Sequence, residues 1–152
     1  MSTVETRHFG DTPSGILPNS FRFETVTVNK KGTIVSREQK QAEYITENLY
    51  NGTILDMVAI TGGTFLMGSP AGEGDDAEKP QHLVNVPSFY MGKYPITQNQ
   101  YLAIMGVNPS RFQGGNLPLE RVSWLNATEF CEKLSHKTGS RYRLANESAM
   151  CA

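Results

Sequence analysis

The chain has 152 residues, enough for one domain of ordinary size but not for two. It carries 14 Lys and Arg against 15 Asp and Glu, a net charge of −1, which argues against nucleic acid or an anionic membrane surface as a partner because both attract a basic excess. Hydrophobic residues make up 38% of the sequence, which permits a core, but no apolar run is long enough to span a membrane.

Residues 1–20 are predicted to form a flexible arm. They contain two glycines and two prolines, at positions 10, 13, 15 and 18, and few large apolar side chains. The opening stretch MSTVETRHFG lacks the apolar segment of a secretory signal. We therefore expect a cytoplasmic protein whose two cysteines, Cys131 and Cys151, are reduced.

Residues 21–55 are predicted to be a strand-rich lead-in to the main domain. Phe21–Val28 is rich in aromatic and β-branched residues, which is typical of a strand. Asn29–Gly32 is predicted to turn the chain into a short return strand, Thr33–Ser36. The polar run Arg37–Glu43 has no apolar stripe, so we interpret it as a solvated connector.

The clearest predicted hairpin joins Tyr44–Leu49 to Thr53–Ile60. Asn51 and Gly52 lie between the two segments, and this dipeptide best supplies the two positive φ angles of a tight hairpin turn. The pair Gly62-Gly63 is predicted to turn the chain again. Further extended segments are predicted at Thr64–Met67, His82–Val86 and Phe89–Met91.

A polar loop, Gly68–Gln81, carries four acidic residues between Glu73 and Glu78. Hard cations prefer carboxylates, but the loop lacks the alternating ligand order of a calcium site, so a solvated loop is favoured. His82 and His136 have no other His or Cys at ligand spacing. Neither histidine is therefore predicted to bind a metal.

Two helices are predicted, each from a capping residue to a glycine. Thr97 and Gln100 fit a capping box, and Gly106 suits the end of the first helix. Ser123 is predicted to cap the second helix rather than act as a nucleophile, since no partner base accompanies it, and Gly139 stops that helix. The inward stripe of the second helix is predicted to comprise Trp124, Ala127, Phe130, Cys131 and Leu134.

The last residues predict an unfinished domain. Tyr142–Leu144 is typical of a buried strand, and Asn146 and Glu147 are typical of the cap and first turn of a third helix. The sequence ends at Ala152, before a helix of stable length forms.

Four segments match the motifs of one family in order. They are GGTFLMGS (62–69), PQHLVNVPSFYMGKYPITQNQY (80–101), VSWLNATEFCEKLS (122–135) and YRLANES (142–148). Over residues 56–147 the chain resembles the formylglycine-generating enzymes, also called sulfatase-modifying factors. Residues 21–55 show a weaker resemblance to the strand-rich lead-in of some bacterial members.

The resemblance implies an α+β fold of the C-type-lectin-like, formylglycine-generating enzyme type, truncated and loop-rich with short strands and two helices. Residues 56–152 are then the N-terminal part of that domain. Family enzymes oxidise a target protein cysteine to formylglycine with O2, and a pair of cysteines binds copper. In the family, this pair and the calcium-binding loops lie downstream of the matched motifs. We therefore expect no catalytic, cofactor-binding or metal-binding residue in this chain, with copper and calcium only in an intact family member.

The chain departs from the family pattern near its end. Ala145 and Asn146 stand where the family has Pro-Thr, and the residues at 149–151, Ala-Met-Cys, replace Glu-Trp-Glu. Such a divergence predicts a frameshifted or truncated copy. Cys131 falls on the helix stripe and Cys151 near the end, so neither matches the catalytic pair.

Three functional hypotheses remain open. The favoured one is a catalytically incomplete part of a formylglycine-generating-enzyme-like domain. The second is a non-catalytic module that uses the lectin-like fold to bind a protein or glycan partner. In the third, the chain supplies one half of a split domain that a C-terminal partner completes. Expected partners are thus a protein substrate or a complementing half, and neither nucleic acid nor a membrane.

Overall fold

The computed structural model describes residues 4–8 and 18–146. Eight strands, two α-helices and one 3-10 turn, Asp76–Glu78, follow one another along these residues. The strands are β1 (Val4–His8), β2 (Asn19–Val28), β3 (Ile34–Tyr50), β4 (Thr53–Ile60), β5 (Gly63–Met67), β6 (His82–Val86), β7 (Phe89–Gly92) and β8 (Tyr142–Leu144), and the helices are α1 (Gln98–Met105) and α2 (Trp124–Thr138).

Six strands form one sheet in the order β2-β3-β4-β7-β1-β8. Every neighbouring pair in it is antiparallel. The strands β5 and β6 pair with each other outside this sheet, and the acidic loop connects them. The extended segments predicted from Thr64, His82 and Phe89 are thereby confirmed.

The main core lies between the two helices and the sheet. Alternate residues are buried near the end of β3 and in β4, because successive side chains of a strand point to opposite faces. The ring of Tyr101 on α1 stacks on Phe130 of α2, with centroids 5.4 Å apart. The core residues include Ile45, Leu49, Leu55, Met57, Tyr90, Ile96, Tyr101, Leu119, Phe130, Cys131, Leu134 and Tyr142.

Both helices begin and end as predicted. The Thr97 side chain accepts a hydrogen bond from the backbone three residues on and completes a capping box. Ser123 forms a second capping box with Asn126. Gly106 and Gly139 end the helices with φ angles of 75° and 70°, a conformation that costs glycine little. In the part of the chain that the structure describes, neither helix is long and apolar enough to cross a membrane.

The predicted inward position of Trp124 is wrong. Trp124 is 68% exposed, whereas the rest of the predicted stripe is buried. Trp124 is the first residue of α2, and helical side chains lean toward the N-terminus of their helix. Its ring therefore projects beyond the start of the helix instead of onto the core.

We expect Trp124 to fluoresce as a solvent-exposed indole. It is the single tryptophan of the chain, so the emission spectrum reports this site alone. In the folded protein, the emission maximum should lie close to that of the unfolded chain, and acrylamide should quench both almost equally. A blue-shifted maximum or strong protection from acrylamide would place the ring in an apolar environment and contradict the exposed position.

The Asn51-Gly52 hairpin is confirmed, but the strand before it is much longer than predicted. Asn51 and Gly52 have φ angles of 48° and 75°. The run Arg37–Glu43 is part of β3, not a connector, and pairs with β2 from Val26 to Ser20. Its lack of an apolar stripe misled the prediction, because both faces of this part of the hairpin are largely exposed and need no alternation.

The expected flexible arm contains a strand. β1 lies between β7 and β8, and Glu5 is paired with both Met91 and Arg143. Such pairing joins residues far apart in sequence, so the local composition of the first 20 residues could not predict it. Asn19 and Ser20 also belong to β2. The rest of the arm, residues 1–3 and 9–17, and the third helix expected beyond Asn146 lie outside the described residues.

Candidate functional site

Cys131 is a core residue of α2. Only 2% of it is exposed. Burial, with a smaller contribution from the Glu132 carboxylate, raises the pKa of the Cys131 thiol to about 11. A neutral thiol is a poor nucleophile and a poor metal ligand, because the thiolate does that chemistry. The geometry thus fits the predicted packing role, while Cys151 lies outside the described residues.

We expect Cys131 to resist alkylation. At pH 8, a pKa of about 11 in place of 9.0 leaves roughly 100-fold less thiolate. A Cys151→Ser variant isolates Cys131, and iodoacetamide labelling followed by mass spectrometry measures the rate. Labelling should be at least about 100-fold slower in the native protein than in urea. Equal rates in the two conditions would show that the thiol is accessible and ionised.

The acidic loop is solvated, as predicted. All residues from 71 to 80 are exposed. The Glu78 carboxylate accepts a hydrogen bond from the Ser69 hydroxyl at 2.5 Å, and Lys79 lies 3.2 Å from Asp76. Among the residues described, three or more potential metal ligands do not cluster anywhere.

His82 and His136 lie on the surface. His82 is exposed at the start of β6, with its Nδ1 3.1 Å from the carbonyl oxygen of Pro80. His136 is exposed in the last turn of α2. The structure therefore brings neither histidine together with Cys131 or with the acidic loop into a donor set.

Gln98 organises the loop between α1 and α2, which sequence reasoning did not predict. It is 1% exposed. Its Nε2 donates to the carbonyl oxygen of Phe112 at 2.7 Å, and its Oε1 accepts from Asn108 at 2.9 Å and from the Gly114 backbone at 3.0 Å. Glu120 fixes the same loop by accepting from the Phe112 backbone N–H. A glutamine in the first turn of a helix gives no sequence signal for this role.

A second unpredicted feature is Glu47 on β3. It lies on the core-facing side of the strand, between Ile45 and Leu49, and is buried. Its Oε1 has no hydrogen-bond partner among the residues that the structure describes. A charged residue flanked by polar neighbours in the sequence gives no sign that it is buried.

The ordered loop and the start of α2 present exposed apolar side chains. Phe112 and Leu125 are 68% and 71% exposed. These residues do not pack into the core although hydrogen bonds hold their backbone in place. We call this set the apolar surface: Val107, Phe112, Leu117, Trp124 and Leu125.

A polar cleft of about 450 Å³ lies between the β3–β4 turn and the start of α1. Gln100 closes one wall, since its Nε2 donates to the carbonyl oxygen of Ile54 at 2.8 Å. Asp56 accepts from the Thr46 hydroxyl at 2.7 Å. The other polar or aromatic lining residues are Asn51, Thr53, Tyr94, Thr97, Asn99 and Asn116.

The family model described as "Sulfatase-modifying factor enzyme 1-like domain" matches residues 41–150. Among curated proteins, the chaperone protein LppX of Paenibacillus barcinonensis is 38% identical over 82 residues, which make up 54% of this chain and 27% of that protein. The match thus spans only about a quarter of the curated relative.

Two solved structures are similar in fold. Variable protein 1 of Treponema denticola superposes with a TM-score of 0.53 at 29% identity, over 62% of this chain and 35% of that one. PvdO from Pseudomonas aeruginosa gives a TM-score of 0.50 at 29% identity, over 58% and 42%. These likenesses confirm the α+β, C-type-lectin-like fold of the formylglycine-generating enzyme type that the motifs predicted.

Proposed function

Because the chain belongs to the family of sulfatase-modifying factor enzyme 1-like domains, we propose that it contributes a non-catalytic, N-terminal portion of a formylglycine-generating-enzyme-like domain. The observation that carries the proposal is the environment of Cys131, a buried thiol whose pKa is raised. The chain covers 27%, 35% and 42% of the three matched relatives, which supports the proposal that the oxidation chemistry of the family needs other parts of such a domain.

The described residues do not fit copper. Copper(I) selects soft thiolate ligands held close together. Cys131 is the one cysteine in the described part of the chain, and its side chain is enclosed by the core between α2 and the sheet. They do not fit calcium either, because three or more carboxylates do not cluster among the described residues: Asp76 pairs with Lys79, and Glu78 accepts from Ser69.

The apolar surface supports a contribution to a larger domain or complex. Large apolar side chains that stay exposed on an ordered loop are candidates for burial by another protein surface. Here the loop carrying Phe112 is fixed in place by Gln98 and Glu120, so the surface is preorganised and little ordering entropy opposes its burial. We propose that the remainder of the domain, or a protein that replaces it, packs against Phe112 and Trp124.

Oxygen uptake tests the proposal. The purified chain is loaded with copper(I) and mixed with a cysteine-containing peptide, and the peptide is probed for an aldehyde with a hydroxylamine label. We expect oxygen uptake equal to that of copper alone, and no aldehyde. A Cys131→Ser variant at the same copper concentration is the control and should behave identically. Copper-dependent aldehyde formation that the variant loses would overturn the proposal.

The polar cleft favours a second candidate function, the binding of a glycan. Amide side chains offer a donor and an acceptor each, which suits sugar hydroxyls. Asn51, Asn99 and Asn116 line the cleft, and the exposed Tyr94 ring supplies an apolar face at its edge. This cleft supports the hypothesis of a lectin-like binding module.

Calorimetric titration with simple sugars tests the second candidate. Glucose, galactose and N-acetylglucosamine serve as probes, with an Asn99→Ala, Tyr94→Ala double variant for comparison. Saturable heat with one sugar that the double variant loses would support glycan binding. A Leu66→Ala variant, changed on exposed β5 away from the cleft, should retain it. Absence of saturable heat with all three sugars would count against this candidate.

A further inference from the structure

The β2–β3 hairpin extends beyond the core and exposes apolar side chains. Its outer half has Val26, Val28, Ile34 and Val35 on the surface, with Val35 60% exposed. A two-stranded ribbon without further packing is marginally stable in water. This part of the molecule therefore gains from a covering partner, independently of the proposed function.

β2 is an edge strand of the large sheet. It pairs with β3 on one side, and no residue described by the structure pairs with its other side. The register with β3 is regular from Asn19 to Thr27, and the strand contains no Pro and no Lys. Bulges, Pro and Lys usually block edge-to-edge pairing. Because β2 lacks them from Asn19 to Thr27, its outer edge is open to another strand.

We infer that β2 pairs antiparallel with β2 of a second copy of this chain, with the two-fold axis at Phe23. In this register Arg22 lies opposite Glu24 of the second copy, and Glu24 opposite its Arg22. Oppositely charged residues directly across a strand pair attract each other. The register pairs Asn19–Thr27 with the same residues of the second copy and makes one continuous sheet across the axis.

Charge excludes the neighbouring registers. A two-fold axis perpendicular to the sheet keeps the side chains of each face on that face. Directly opposite residues of an antiparallel pair share a face, so the axis must pass between one residue and the same residue of the second copy. An axis at Arg22 or at Glu24 places two like charges directly opposite each other, which is destabilising. An axis at Thr25 leaves Glu24 opposite Val26 and pairs a shorter segment. Phe23 is thus the position that satisfies the charges and retains most of the strand.

An apolar groove beside the same edge strengthens the inference. A cavity of about 490 Å³ is lined by Phe21, Phe23 and mainly apolar residues of β3 and β4. Lys93 lies 4.1 Å from the centroid of the Phe21 ring. Phe21 and Phe23 are two residues apart and so share a face of β2. Pairing at Phe23 places the two Phe23 rings together and extends this apolar face across the axis.

Sedimentation of charge variants tests the inference. The wild-type chain should show a concentration-dependent monomer–dimer equilibrium. Arg22→Glu places acidic residues opposite each other at two symmetric positions and should weaken the dimer about tenfold. The double variant Arg22→Glu, Glu24→Arg is made together with Arg37→Glu, because Arg37 forms an ion pair with Glu24 inside each copy. It restores the opposite charges across the axis and should recover the affinity. Arg141→Glu is the matched control, because this exposed residue precedes β8 at the other edge of the sheet.

The results for and against pairing at Phe23 differ. Weakening by Arg22→Glu and recovery in the double variant, with Arg141→Glu unchanged, supports pairing at Phe23. A wild-type chain that stays monomeric up to high micromolar concentration overturns it. A dimer that Arg22→Glu leaves intact also overturns it, and assigns self-association to another surface. Circular dichroism on each variant confirms that folding is retained.

Discussion

Replacing Leu134 by alanine is expected to lower the free energy of unfolding by about 4 kcal/mol. Leu134 is fully buried in α2, where it packs into the core between the helix and the sheet. The substitution removes three carbon atoms from a closed site and leaves a cavity that its neighbours fill only partly. Urea unfolding followed by circular dichroism measures the change.

Leu125→Ala is the matched control for this experiment. Leu125 lies on the same helix but is 71% exposed, so the substitution should change the free energy of unfolding by less than about 0.5 kcal/mol. Both variants replace a leucine of α2 by alanine, so the change in intrinsic helix propensity is similar. The difference between their free energies of unfolding therefore reports the burial of Leu134. Similar losses at the two positions would contradict the packing of α2 against the sheet.

Gly62→Ala is expected to cost about 3 kcal/mol. A Cβ at Gly62 would lie 2.4 Å from the backbone nitrogen of Ser88 and 2.4 Å from the backbone oxygen of Val86. Backbone cannot move aside as a flexible side chain can, and the Gly62 N–H also donates to the Ser88 hydroxyl at 2.8 Å. The substitution thus separates the end of β4 from the β6–β7 turn. Thermal unfolding at several urea concentrations gives the loss.

The neighbouring glycine supplies the control for Gly62. A Cβ at Gly63 meets no atom within 4 Å, and its φ is not in the positive range. Gly63→Ala should therefore be neutral or stabilise by up to about 1 kcal/mol, through a less flexible unfolded chain. If the two variants lose equal stability, the close approach of Gly62 to the β6–β7 turn is wrong.

Local signals predicted the helices and the tight hairpin well. Capping at Thr97 and Ser123, and positive φ at Asn51 and Gly52, depend on residues close in sequence, so the pattern alone identifies them. The sequence also predicts a turn at Gly62-Gly63, but Gly63 is already the first residue of β5. Of the two glycines, only Gly62 is sterically required, because a Cβ there would collide with the backbone of Ser88. Ser88 is distant in sequence, so the sequence does not show this.

Non-local pairing accounts for most of the errors. The local composition of the first 20 residues predicts an arm, because it carries no sign of the partners that β1 finds in β7 and β8. The sequence predicts a connector for the polar part of β3, because a strand exposed on both faces shows no alternation of apolar and polar residues. Trp124 fits the helical spacing, but its place at the first position of α2 turns the ring away from the core.

The sequence predicts the candidate sites less well than it predicts the fold. The family motifs predicted the fold class, and the sequence correctly placed Cys131 on the buried stripe. The buried hydrogen bonds of Gln98 and the isolated Glu47 oxygen depend on tertiary structure. The self-complementary charges of β2 are visible in the sequence, but their meaning depends on knowing that β2 is an edge strand.

The most direct test of the non-catalytic assignment is a copper(I) competition titration of the full chain. A chromophoric chelator competes with the protein under anaerobic conditions, and wild type is compared with Cys131→Ser. We expect no copper to be withdrawn by Cys131, so the two proteins should give the same curve. Stoichiometric, tight binding that Cys131→Ser abolishes would show that the buried thiol is a copper ligand, and would contradict the assignment.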